Sequence, residues 1–230
     1  IGYFDQMDDY FIYDDLSILP RSVLEKPFCC HVDEIINHLF RMNTMASSKL
    51  FKKDFLLRND LYFVEKLYFE DTEFFFRFVL RAERFGFVQD GLYFYRMNVA
   101  NSIMGLKDDK HFDVLRLTAY VKDTLQKEGV FERLREAYYN TMIYTIYYRY
   151  DQIKKEYRKK FKKLIVGYFK RNPLTREELQ LLTAGAGKLD RVRQQVQHDL
   201  PHRTGVRDDR QDVHRQRCSY DHARAARLRR

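Results

Sequence analysis

The chain has 230 residues, 45% hydrophobic and 16% aromatic, with 17 Tyr, 19 Phe and no Trp, which is enough apolar material for one sizeable core. No apolar run approaches the roughly 20 residues of a bilayer span, so a transmembrane helix is not expected. The net charge of +9 invites a nucleic-acid reading, yet residues 184–230 hold 12 Lys and Arg against 6 Asp and Glu, leaving residues 1–183 at only +3. No stacking platform or recognition motif accompanies that charge, so no nucleic-acid partner is expected.

Residue 1 is Ile, with no charged-then-apolar leader after it. The expectation is a piece of a longer protein, without a signal peptide and cytoplasmic. Three Cys are present, two of them adjacent (Cys29, Cys30), and no CxxC pair offers zinc spacing. Cys29-Cys30-His31 would need distant partners to hold a metal, and ordinary burial is the simpler reading.

In chain order, Tyr10-Phe11-Ile12-Tyr13 reads as a strand bounded by acids. Residues 33–41 read as a short helix with Ile35, Ile36, Leu39 and Phe40 on its apolar side. Ser48-Lys49-Leu50-Phe51 reads as a strand, followed by a helical turn over Asp54–Arg58 and a turn at Asn59-Asp60. Residues 72–85 read as a helix, and Gly86–Val88 and Leu92–Tyr95 as two strands around Asp90-Gly91. From His111 to about Lys170 the period is helical, first through Phe112, Leu115, Ala119, Val121 and Leu125. It continues through Phe131, Leu134, Tyr138 and Met142 into Tyr144, Tyr147 and Tyr148, then along 154–171. Strands first and helices later predict an α/β or α+β chain.

After residue 183 the chemistry changes. Residues 184–230 contain no Phe, Ile, Met or Glu, one Lys and eleven Arg. Two readings fit: a solvated disordered tail, or translation in a shifted reading frame. Neither leaves a packed domain beyond about residue 183.

The stretch Phe69-Glu70-Asp71-Thr72-Glu73-Phe74-Phe75-Phe76-Arg77-Phe78 sets three carboxylates directly against an aromatic run. Asp71 is expected to cap the helix that begins at Thr72, because its carboxylate can accept from free first-turn N–H groups. Glu73 faces Arg77 one turn on, with Arg81 and Arg84 continuing the stripe. Phe75, Phe78, Val79 and Ala82 form the opposite, buried stripe. A carboxylate kept ionised by the helix dipole can take a proton from a substrate hydroxyl. Equally, Asp71 can be a cap and Glu70 a surface acid.

Three blocks resemble the C-terminal half of bacterial family-2 glycosyltransferases, the inverting, sugar-nucleotide-dependent group with the GT-A fold. They are Lys49-Leu50-Phe51-Lys52-Lys53-Asp54-Phe55-Leu56; Tyr68-Phe69-Glu70-Asp71-Thr72-Glu73-Phe74; and Gly91-Leu92-Tyr93-Phe94-Tyr95-Arg96 followed by Asn101-Ser102-Ile103-Met104. The resemblance implies an α/β chain in which 1–105 is the acceptor-side part of a GT-A domain, with few short strands and flanking helices. Residues 106–182 would be a helical extension and 183–230 the Arg-rich tail. It implies Asp71 as general base and Glu70 as the group that orients the acceptor. Arg96 and Ser102 would lie near the donor diphosphate, with Lys49 supporting the fold. It further implies a sugar-nucleotide donor, a glycan or lipid-linked acceptor, and Mg²⁺ or Mn²⁺ in the full-length parent. The family's donor and metal half precedes these blocks. Residues 1–44 are too short to hold it, and Asp8-Asp9 and Asp14-Asp15 read as surface acids. No metal is therefore expected on this chain, and no sugar transfer by it alone.

Over 154–171, Lys154, Lys155, Arg158, Lys159, Lys160, Lys162 and Lys163 interleave with Tyr157, Phe161, Leu164, Ile165 and Tyr168. Such a helix can meet the anionic inner face of the plasma membrane, or pack on the protein with its lysines in water. The alternative to a transferase is accordingly a non-catalytic interaction module that docks this face on a membrane or protein.

Overall fold

The computed structural model describes residues 2–5, 10–13, 19–26, 31–88, 90, 92–97 and 103–182. These residues are mostly helical. Strand β1 (Gly2–Asp5) pairs antiparallel with β2 (Tyr10–Tyr13) and parallel with β3 (Phe94–Met97), in the order β2-β1-β3. Helices α1 (Arg21–Leu24), α2 (Lys53–Arg58) and α3 (Glu70–Arg81) lie between β2 and β3 in the chain. After β3 come α4 (Ile103–Leu106), α5 (Val114–Lys127), α6 (Phe131–Gln152), α7 (Lys155–Arg171) and α8 (Arg176–Leu181). Among the described residues no helix is long and apolar enough to cross a membrane.

Among the described residues the chain is mostly helical with three four-residue strands, and two of the expected strands take other forms. At 48–51 the chain leaves a 3-10 turn (Ala46–Ser48) and passes irregularly into α2. The cause is local: Lys49 Nζ donates to the carbonyls of Asn43 and Met45, both at 2.8 Å. Those bonds, with its place 5.4 Å over the Phe75 ring, fold residue 49 against the preceding turn. Lys49 thus supports the fold. The hairpin expected around Asp90-Gly91 does not form either; Gly86–Val88 is irregular, and Phe94–Met97 takes β1 as its partner instead.

The segment expected as one helix over 33–41 is two 3-10 turns, Val32–Glu34 and Ile36–Arg41. Its apolar spacing still holds, since Ile35, Ile36 and Leu39 are fully buried. Phe40 lies 4.7 Å from the Phe76 ring. The helical period from 111 onward gives α5, α6 and α7. A left-handed glycine closes the α5–α6 turn: Gly129 has φ +70°, its N–H reaches the Gln126 carbonyl, and Val130 N–H reaches the Leu125 carbonyl. Two carbonyls at the end of α5 are satisfied this way, a geometry that strains any residue with a Cβ.

Among the described residues an apolar core joins α3 to α5, α6 and α7. Phe75, Phe76 and Val79 of α3 cluster with Val114, Val121 and Leu125 of α5, with Leu134, Tyr138 and Ile146 of α6, and with Phe161 and Ile165 of α7. α8 is tied on by polar bonds. Thr175 and Glu178 cap each other's backbone N–H groups, and Tyr139 Oη donates to Glu178.

Burial acts to raise the Glu178 carboxyl, but the Tyr139 hydroxyl, the Thr175 N–H and Lys122 outweigh it and hold the group below its ordinary 4.5. A carboxyl depressed by folding adds stability above its unfolded value and loses it as pH falls through the folded one. Tyr139→Phe should therefore lower the unfolding free energy at pH 7 by about 1 kcal/mol. The difference from wild type should close below pH 4.5. Urea titrations at several pH values read this, and a pH-independent difference would contradict it.

Candidate functional site at the entry to α3

Asp71 is not the cap of α3. The helix begins at Glu70, and its cap residue is Phe69, which contributes no side-chain hydrogen bond. Phe69 enters in the left-handed region at φ +66°, ψ +27°. An aromatic residue pays about 1–2 kcal/mol there unless its surroundings hold it.

Three groups hold this entry. Asp113 Oδ2, just before α5, accepts from the Tyr68 N–H at 2.9 Å. The buried His111 ring meets the Phe69 ring edge-on at 5.6 Å. The Arg149 guanidinium, from α6, lies over the Phe69 ring, 4.3 Å from its centroid. Burial pulls the Arg149 pKa down from its ordinary value, and the ring offers the half-buried cation a π face.

Glu70, Asp71 and Glu73 all fall in the first turn, where the positive end of the helix dipole favours anions. Their fates differ. Glu73, only 3% exposed, turns inward and accepts from Arg77 Nη2 at 2.8 Å; Arg77 also donates to the Tyr62 carbonyl. The spacing of 73 and 77 announces that pair, but not its burial. Glu70 and Asp71 stay half-exposed and make no hydrogen bond or ion pair among the described residues. Thr72, next along, shares a hydrogen bond with the Thr44 hydroxyl at 3.1 Å. The result is two adjacent, solvent-reachable carboxylates on a backbone fixed from several sides.

Further along α3, Arg81 donates to Glu128 at 2.8 Å and to the Asn59 carbonyl at 2.9 Å. The expected apolar stripe is present and wider than expected: Phe74 and Phe76 are buried along with Phe75, Val79 and Ala82, while Phe78 is half-buried at its edge.

Arg96 is an exposed residue of β3, and no hydrogen bond or ion pair links it to the acidic pair among the described residues. Ser102, Asp8, Asp9, Asp14, Asp15, Cys29, Cys30 and the tail from 183 lie outside the described residues. Among the described residues no three His, Cys, Asp or Glu side chains converge as ligands. Glu70 and Asp71 alone do not make the ligand set of Mg²⁺ or Mn²⁺.

Phe69, His111, Asp113 and Arg149 are the groups at this site that sequence reasoning missed. One signal points to Arg149: it is a lone cation inside the aromatic run Tyr144–Tyr150. Its partner, 80 positions earlier, carries no mark in the sequence.

A cavity of about 190 Å³ lies elsewhere, lined by Lys122, Tyr138, Tyr139, Tyr168 and Asn172 among others. Its polar groups are engaged within the protein: Tyr138 Oη donates to the Thr118 carbonyl at 3.0 Å, and Lys122 Nζ to Tyr139 Oη at 3.3 Å. Burial pushes both tyrosine hydroxyls upward, so they stay neutral.

No protein family, curated protein or solved structure matches the chain.

Proposed function

We propose that this chain supplies the acceptor side of an inverting, nucleotide-sugar-dependent glycosyltransferase that builds a bacterial surface polysaccharide or glycoconjugate. The three short strands with their flanking helices are read as part of a GT-A-like domain. Asp71 is the general base. Its carboxylate takes the proton of an acceptor hydroxyl, that oxygen bonds to the donor's anomeric carbon, and the bond from that carbon to the nucleoside diphosphate breaks with inversion. Glu70 orients the acceptor, and Arg96 and Ser102 are assigned to the leaving diphosphate. Donor and divalent ion are contributed by other parts of the parent enzyme, at the cytoplasmic side of the membrane.

The observation that carries this reading is the pair Glu70–Asp71, half-exposed and without an ion-pair partner among the described residues, on a strained and well-braced helix entry. Glu73, by contrast, is buried and ion-paired with Arg77.

The test is a panel of labelled oligosaccharides titrated into the full chain. Retention of one glycan class by the wild type, lost in Glu70→Ala/Asp71→Ala, is expected. Binding of no glycan, or binding untouched in that variant, would count against the reading. Tight binding of a nucleotide sugar by this chain alone, measured by calorimetry, would contradict the placement of the donor site elsewhere.

A further inference from the structure

α7 buries Phe161, Ile165, Tyr168 and Phe169 on one face. At about 100° per residue, Lys155, Lys159, Lys162, Lys163 and Lys170 fall within an arc of about 100° that starts beside Phe169 and ends opposite the buried face. All five are exposed. Lys155, Lys159, Lys163 and Lys170 enter no ion pair among the described residues, and Glu156 is the one acid of the helix.

Lysines one turn apart (155 and 159, 159 and 163) repel each other and cost helix stability. A helix that required only solubility would alternate its signs. The stripe runs for about 22 Å along the helix, and Leu164, 38% exposed, stands one turn beyond Lys160 at the edge of the same solvent side.

We propose that this lysine face docks on an anionic lipid bilayer, with α7 lying in the plane of the headgroups. The match is one of shape and charge. A straight, convex row of ammonium groups on flexible stems meets a flat sheet of phosphates, each lysine adding attraction. Single-stranded nucleic acid would call for rings on which bases stack, and the exposed arc carries none. Arg158, whose fork suits directional phosphate recognition, is turned to the Asp151 carbonyl at 3.0 Å. None of these residues belongs to the acidic pair, so the docking face is independent of the transferase reading.

The experiment is co-sedimentation of the full chain with neutral phosphatidylcholine vesicles and with vesicles carrying about 30% anionic lipid. Binding to the anionic vesicles alone is expected, with release at about 0.5 M salt, where the screening length is a few ångström. The variant Lys155→Gln/Lys159→Gln/Lys163→Gln/Lys170→Gln, with far-UV circular dichroism matching the wild type, should bind at least about tenfold more weakly. The basic residues after 183 remain in this variant, so undiminished binding would overturn the inference by locating the attraction there. Equal binding to neutral vesicles would overturn it too, as would a preference for a single-stranded RNA oligomer over anionic vesicles. Should the variant not fold, hydrogen exchange of the wild type on anionic vesicles decides. Protection confined to the exposed face of α7 is expected, and none over 155–170 would overturn it.

Discussion

On the proposed transferase reading, Asp71→Asn is expected to slow sugar transfer about 10²–10⁴-fold, the usual weight of a positioned general base. The amide keeps the size and shape of the carboxylate but cannot accept a proton. The loss should therefore appear in kcat, with KM for the acceptor little changed. Stability is a built-in control: Asp71 is half-exposed, makes no hydrogen bond among the described residues and is not the helix cap. Removing one favourable helix-dipole interaction costs about 0.3–1 kcal/mol, too little to unfold the chain. Glu70→Gln should act mainly on acceptor KM. Coupled release of nucleoside diphosphate measures both. An Asp71→Asn enzyme with full turnover would show that the carboxylate takes no part in proton transfer.

Glu73→Ala is expected to destabilise the chain by about 3 kcal/mol or more, because it leaves a largely buried guanidinium without its countercharge. The Arg77 side chain is 18% exposed, and the Tyr62 carbonyl is its one remaining hydrogen-bond partner among the described residues. Arg77→Ala should cost a similar amount, since the carboxylate it abandons is 3% exposed. Replacing both, as Glu73→Leu/Arg77→Leu, removes the two charges together and should recover most of the loss, as is common when a buried ion pair gives way to apolar side chains. Urea unfolding of the wild type, Glu73→Leu, Arg77→Leu and the double variant reads the coupling. Additive losses would mean that each charge finds its own solvation at this site.

What the sequence made legible was whatever depends on near neighbours. The 3.6-residue period marked α5, α6 and α7, and the apolar spacing of Ile35, Ile36 and Leu39 was right although the backbone there is 3-10. The Glu73–Arg77 pair followed from i, i+4 spacing alone. Long-range partners decided the rest. Asp before an aromatic helix is a good cap by propensity, yet Phe69 takes the cap position because His111, Asp113 and Arg149 hold it in the left-handed region. Asp90-Gly91 is a hairpin signal, yet β3 pairs with β1 from the other end of the described chain. Lys49 reads as a strand residue, yet its ammonium binds two carbonyls just upstream. The acidic pair itself was legible from its composition; its bracing was not.

The α5–α6 turn bears on how the acidic edge comes to exist at all. Helices joined by so short a connection find each other early, because little chain entropy opposes their meeting. Asp113 and Arg149 flank that helical hairpin, one just ahead of α5 and the other near the end of α6. The hairpin and its flanks thus supply the groups against which Tyr68 and Phe69 are held. The geometry of the acidic edge is therefore set by residues far from it in the chain.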